Sequence, residues 1–115
     1  MAVSISLDCN DLERQEAFWS GALGYRVVER APMHTMLGPP VGQDGPLLGL
    51  NLVPESKSVK NRMHLDWDVD DMEAEADRLE QLGAARHGRG ALATSEWITM
   101  QDPEGNEFCV EQVKR

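Results

Sequence analysis

Between Arg62 and Asp71 the chain reads RMHLDWDVDD, so His64, Asp66 and Asp68 alternate with Leu65, Trp67 and Val69. On an extended strand, residues two apart point to the same face. An imidazole and a carboxylate placed that way can coordinate a divalent ion, exchange a proton as base and acid, or hold the polar end of a ligand. Cys109 adds a thiol, which binds soft ions as thiolate. Trp97 offers a plate for a flat or cationic ligand. HExxH, GxSxG, Walker and dinucleotide motifs do not occur, and HGRG at 87–90 is too short to serve as a phosphate loop. His34 and His87 have no partner that spacing identifies.

The elements that must position these groups occur twice. SISLDCNDLERQEAFWSGALGY (4–25) lies over HLDWDVDDMEAEADRLEQLGA (64–84), and DGPLLGL (44–50) over EGNEFCV (104–110), at a shift of about 60 residues. Ser4 falls on His64, Asp8 on Asp68 and Gly49 on Cys109. Each copy opens on a strand of alternating polarity. A helix follows, capped by Asn10 or Asp11 in the first copy and by Asp70 or Asp71 in the second, with stops at Gly24 and Gly83. Three more strands complete each copy: 25–30, 34–38 and 47–53, then 85–87, 95–101 and 107–113. The order is βαβββ twice, an α+β pattern. Module one covers about 3–53, a polar linker about 54–62 with Lys57–Asn61 as its joint, and module two about 63–113, all within one domain of residues 1–115.

Parity separates two faces. Val3, Ile5, Leu7, Leu48, Leu50, Leu52, Leu65, Trp67, Val69, Phe108 and Val110 are assigned to the core. Ser4, Ser6, Asp8, Gly49, Asn51, His64, Asp66, Asp68, Glu107, Cys109 and Glu111 are assigned to the polar face. If the DPEGN hairpin pairs Gln101 near Glu107, Trp97 and Thr99 join Cys109 on that face. Asp8, Asp66, Asp68 and Glu107 share that face with little basic compensation, which favours a proton donor or acceptor, or a cationic guest. Asp68 and Glu111 read as rim residues in water, and the acidic surround reads Cys109 as an inert thiol.

Composition narrows the function classes. An apolar fraction of 41% is sufficient for a core, and 20 acidic against 11 basic residues give a net charge of −9. That balance argues against nucleic acid and against anionic lipid. No apolar run reaches the length of a membrane span, the first residues lack a signal-peptide pattern, and Cys9 and Cys109 form neither a CxxC motif nor a disulfide framework. The expectation is a cytoplasmic protein with two reduced thiols.

The paired βαβββ units, NDLERQEAFWSGALGY after the first strand, HLDWDVDD opening the second half and DPEGNEFCVEQ near the end together resemble the vicinal oxygen chelate superfamily, in its compact glyoxalase-like branch. That superfamily includes glyoxalase I, bleomycin-resistance proteins and extradiol dioxygenases. The resemblance implies one cupped mixed sheet around a cavity, helices outside, and a homodimer. It places the metal ligands of metal-using members at Ser4, Gly49, His64 and Cys109, where those members carry His or Gln, Glu, His and Glu. Only His64 is kept, so no metal cofactor is expected. A Zn or Fe ion, as the alternative, would rest on His64 and Cys109 with help from Asp66 or Glu107.

The leading expectation is a small-molecule-binding protein without the family's catalytic metal, its ligand organic and cationic or amide-bearing. The ligand-binding set is Ser4, Ser6, Asp8, Asn51, His64, Asp66, Trp97, Thr99, Glu107 and Cys109. The alternative is a lyase, isomerase or dioxygenase type of enzyme with an atypical metal or with His64 and Asp66 as catalytic acid and base. A degenerate domain kept for protein association is the third.

Overall fold

A computed structural model describes residues 3–114. The elements run β1 (Ser4–Cys9), α1 (Leu12–Leu23), β2 (Arg26–Ala31), β3 (His34–Gly38), β4 (Leu47–Leu52), β5 (Asp66–Asp68), α2 (Met72–Gln81), β6 (Ala85–Ala91), β7 (Ser95–Gln101) and β8 (Glu107–Val113). The α+β class and the doubled βαβββ order are those the sequence predicts. The chain divides between Ser56 and Lys57 into two compact units.

In the first unit Asp11 caps α1, its carboxylate accepting from the Arg14 N–H at 3.1 Å, and Gly24 ends the helix at φ 68°. That left-handed conformation suits glycine. Phe18, Trp19 and Ala22 are buried from α1, which packs on β3 and β4. The strands lie in the order β1-β4-β3-β2, with β1 parallel to β4 and the rest antiparallel.

The second unit repeats this plan. Asp71 caps α2 by accepting from the Ala74 N–H at 3.0 Å, and the Met72 N–H donates to Gln112 Oε1 at 2.8 Å. Met72, Ala76 and Leu79 are buried, and α2 packs on β6, β7 and β8. The order is β5-β8-β7-β6, again with only the first pair parallel. The resemblance implies one cupped sheet, whereas the hydrogen-bonded ladders form two four-stranded sheets, one per unit. Each unit's opening strand pairs with its own closing strand, which completes the ladder inside the module.

Registers match across the repeat. Ser6 pairs with Gly49 and Leu7 with Leu50 in one unit; Asp66 pairs with Cys109 and Trp67 with Val110 in the other. The edge strands even share an irregularity, between Val27 and Glu29 and between Arg86 and Gly88. Two boundaries differ from the sequence reading. β5 is only three residues long, so His64 precedes it, although Leu65 O still accepts from the Cys109 N–H at 2.9 Å. β6 extends to Ala91 and absorbs HGRG into a strand.

Ile98, Met100, Phe108 and Val110 are fully buried on the helix side of the second sheet. Leu65, Trp67 and Val69 are half-buried, while Val3 is exposed in spite of its core parity. Val3 precedes β1, and its carbonyl accepts from the Leu47 N–H at 3.4 Å. Trp67 stacks on Phe108 with ring centroids 5.3 Å apart and planes 7° from parallel. Phe108→Ala removes that partner and leaves a cavity, with an expected loss of about 3–5 kcal/mol in urea denaturation. A loss below about 1 kcal/mol would contradict the packing described.

Candidate functional site

Hydrogen-bond register builds the second unit's polar face in transverse rows. Asp66 on β5 pairs with Cys109 on β8, Cys109 with Thr99 on β7, and Thr99 with Gly88 on β6. Two residues further along, Asp68, Glu111, Trp97 and Gly90 form the next row. A hollow of about 520 Å³ opens over these rows. Asp66, Cys109, Thr99 and Gly88 lie at its floor, with His64, His87, Trp97, Glu111, Lys60, Arg89, Leu92 and Glu107 around them.

At the floor, His64 Nδ1 and Asp66 Oδ1 lie 2.9 Å apart. A nitrogen of His64, an oxygen of Asp66 and Cys109 Sγ all lie within 4.8 Å of one another. Thr99 Oγ1 is 3.5 Å from Cys109 Sγ. His64 and Asp66 remain open to solvent, with side-chain exposures of 31% and 41%, whereas Cys109 is only 7% exposed. Burial pushes the Cys109 thiol above its ordinary range; the Thr99 hydrogen bond pulls the other way, and Asp66 and Glu111 add smaller upward pushes. The thiol therefore stays protonated near neutrality and is a poor nucleophile. Chemically, the cluster offers a carboxylate–imidazole pair able to share a proton, beside nitrogen, oxygen and sulfur donors.

Glu107 has another role from the one its parity suggests. It is 4% exposed, and its carboxylate is already engaged. Lys57 Nζ lies 2.9 Å from Oε1, and the Asn61 N–H donates to Oε1 at 3.0 Å. Asn61 Nδ2 also donates to Asn106 Oδ1 at 3.3 Å. These contacts tie segment 57–61 to the start of β8, and three residues later the chain delivers His64. Burial alone would raise the Glu107 carboxyl; the Lys57 hydrogen bond and charge and the Asn61 amide outweigh it and hold the group below its ordinary value. Lys57, which meets Glu107, and Lys60, which lines the hollow, supply basic groups that the parity reading did not count, whereas the Arg89 guanidinium pairs with Glu73 on α2.

Trp97 owes its place to glycine. A Cβ on Gly90 would come within 2.4 Å of Trp97 Cζ2, so the indole lies directly over the Gly90 backbone. At Gly88 a Cβ would meet nothing within 4 Å. The irregularity at 86–88 takes His87 out of strict alternation, and both His87 and Gly88 line the hollow. Parity could not place His87. The glycine alternation of HGRG was the available signal for a strand beneath a bulky neighbour.

In the first unit, Ser4, Ser6 and Asp8 lie exposed along β1 and Asn51 is half-buried on β4. Asn51 Oδ1 lies 2.8 Å from His34 Nδ1, a partner that spacing alone did not identify. Asp68 is exposed, but Glu111 is half-buried and lines the hollow, which corrects its reading as a rim residue. Cys9 and Cys109 are both buried free thiols. Among the described residues no helix is long and apolar enough to cross a membrane.

The profile of the family described as a glyoxalase-like domain matches residues 4–111. A glyoxalase/bleomycin resistance protein/dioxygenase family enzyme from Burkholderia phytofirmans PsJN superposes with a TM-score of 0.78 at 19% identity, covering 96% of this chain and 97% of that one. The fosfomycin resistance protein FosX from Mesorhizobium loti gives 0.74 at 17% identity, covering 97% and 91%. A lactoylglutathione lyase from Agrobacterium tumefaciens gives 0.70 at 20% identity, covering 97% and 92%. At such identities these likenesses establish the fold. No curated protein sequence matches the chain.

Two outcomes follow from the geometry. Gly90→Ala should displace the Trp97 indole, costing about 1–3 kcal/mol and shifting tryptophan emission, whereas Gly88→Ala should leave both nearly unchanged. Equal responses of the two variants in fluorescence and urea denaturation would refute the assignment. For Glu107, the folded carboxyl is held below its unfolded value, so its contribution is present above the unfolded pKa and is lost as pH falls through the folded one. Glu107→Gln should be less stable than wild type by about 1–3 kcal/mol at pH 7, with the gap closing in acid. A gap that does not change with pH would contradict the role given to this contact.

Proposed function

The chain belongs to the glyoxalase-like domain family of the vicinal oxygen chelate superfamily, and on that basis we propose that it binds a small organic molecule in the hollow of its second unit. The observation that carries this reading is a concave site of about 520 Å³ with one aromatic wall and a polar floor. That volume falls within the range of about 300–1,000 Å³ usual for ligand sites. Trp97 and Leu92 supply apolar surface, and Asp66 and Glu111 accept hydrogen bonds from a basic or amide group. Lys60 lines the same hollow and offsets part of this acidity, which favours an amide over a simple cation. The protein acts in the cytoplasm as a homodimer in this reading, its thiols reduced.

The family's four-point metal set does not suit these residues. Gly49 has no donor, and a Cβ built there already comes within 3.2 Å of His34 Cε1 and 3.7 Å of Ser6 Oγ, leaving little room for an acidic side chain. Ser4 offers only a neutral hydroxyl.

Trp97 is the tryptophan that lines the hollow; Trp19 is 2% exposed and Trp67 is stacked on Phe108. Titration of the protein with benzamide and benzamidine, chelator present, should quench emission, with benzoate weaker. Trp97→Phe should abolish the quenching, and Asp66→Asn should weaken binding about tenfold, in line with loss of one hydrogen bond to a charged acceptor. Absence of quenching by every probe, or quenching that persists in Trp97→Phe, would count against the hollow as the binding site.

A further inference from the structure

We propose that the guest of the hollow is a flat ring that turns two adjacent N–H donors, with a carbonyl beside them, toward Glu111: the edge of a neutral cyclic acylguanidine, as in a 2-amino-4-oxopyrimidine. This rests on the hollow being an organic-ligand site and names the chemistry of its guest. Asp66, Glu107 and Glu111 are the carboxylates that line the hollow. The first two are engaged: Glu107 meets Lys57 and the Asn61 N–H, and Asp66 Oδ1 lies 2.9 Å from His64 Nδ1. Arg89, also at the hollow, pairs with Glu73. Glu111 is half-buried, and among the described residues its carboxylate meets no donor. A carboxylate that has lost part of its water and gained no partner carries a cost that ligand N–H groups relieve.

Register sets this carboxylate beside an aromatic plate. Glu111 on β8 is the partner of Trp97 on β7, and the Trp97 indole lies to the other side, over Gly90 on β6. Neighbouring strands are about 4.8 Å apart, within the reach of a glutamate side chain. A ring stacked on the indole therefore has one edge toward Glu111. Two carboxylate oxygens accept two parallel N–H donors bidentately, and such charge-assisted bonds fix orientation as well as adding strength. Donors side by side in the ring plane satisfy both oxygens while the ring stays stacked. Two residues along β7, Thr99 brings a hydroxyl to the same face, beside Cys109. That hydroxyl donates to a ring carbonyl next to the first N–H, so the guest's edge reads carbonyl, N–H, N–H. An edge with an acceptor nitrogen in the middle sets a lone pair against Glu111 and is rejected. A neutral ring also suits Lys60, which opposes a cationic one.

Full-length protein is titrated calorimetrically with benzamide, isocytosine and cytosine. The last two are isomers; isocytosine carries the carbonyl, N–H, N–H edge, whereas cytosine has an acceptor nitrogen in its middle. Isocytosine should bind at least about tenfold more tightly than cytosine, the difference expected for a hydrogen bond to a charged group. Glu111→Gln keeps the side-chain shape, with circular dichroism as the check on folding, and should bring the two isomers to within about twofold of each other. Trp97→Phe should weaken both isomers and preserve their ratio. Thr99→Val should weaken isocytosine several-fold. Benzamide binding with an isomer ratio near unity in the wild type overturns the acylguanidine assignment and leaves the hollow as a binding site. A preference for isocytosine that survives Glu111→Gln overturns it too. Failure of all three probes to bind removes the organic-ligand reading and this assignment together.

Discussion

The buried Asp102 carboxylate accepts from the backbone N–H groups of Glu104 and Asn106, both at 2.9 Å, and from the Asn106 side chain at 3.1 Å. Gly105 takes φ 87° to let the turn close. This turn sets Gln101 against Glu107, and every pairing from there to Ser95 and Val113 follows. A slip of one residue would carry Ile98 and Met100, or Phe108 and Val110, to the solvent face. Each of those side chains contributes about 1.5–3 kcal/mol by its burial, so the register is strongly specified. Cys109 lies beside Thr99 and over the hollow as a consequence of that core, not through any attraction between the two polar groups. The same turn ends at Glu107, whose hold on Lys57 and Asn61 anchors the segment that runs through His64 into β5.

The repeat shows how much chemistry one framework can vary. The row Ser6, Gly49 and Met36 in the first unit occupies the same registers as Asp66, Cys109 and Thr99 in the second. Ladder hydrogen bonds come from the backbone, and the apolar parity serves the helix side, so polar-face residues are free to differ without disturbing either. In the first unit that row carries only the neutral Ser6, Gly49 and Met36, with a His34–Asn51 pair in the next row. In the second it yields an imidazole, a carboxylate and a thiol within one donor cluster.

Sequence alone revealed whatever depends on local periodicity and turn chemistry. The faces of β7 and β8, the Asp11 and Asp71 caps and the Gly24 stop could all be read from residues within a few positions of one another. Contacts between groups far apart in sequence were hidden. Glu107 meets Asn61 across 46 residues and Lys57 across a similar span, and nothing in either segment names the other. The same holds for His34 and Asn51, 17 apart. His87 was unreadable for a different reason: an irregular edge strand breaks the alternation on which the assignment of faces relies. Parity tells which way a side chain points. It does not tell whether a carboxylate pointing that way stays open to solvent, as Asp66 does beside His64, or is buried against a lysine and a backbone amide, as Glu107 is.

The two rows of the second sheet therefore divide the work that the hollow can do. Rows two residues apart along a strand are separated by about 7 Å, roughly the width of a flat ring. The first row, Asp66, Cys109 and Thr99, holds the titratable and soft donors, with the most buried of them in the middle. The second row holds Trp97 over Gly90, with Glu111 beside it. A group that interacts with the first row leaves the indole of the second uncovered, and a ring stacked on that indole need not displace anything at the floor. The Trp97 wall keeps its position independently of the first row, because Gly90 and the β6–β7 ladder hold it.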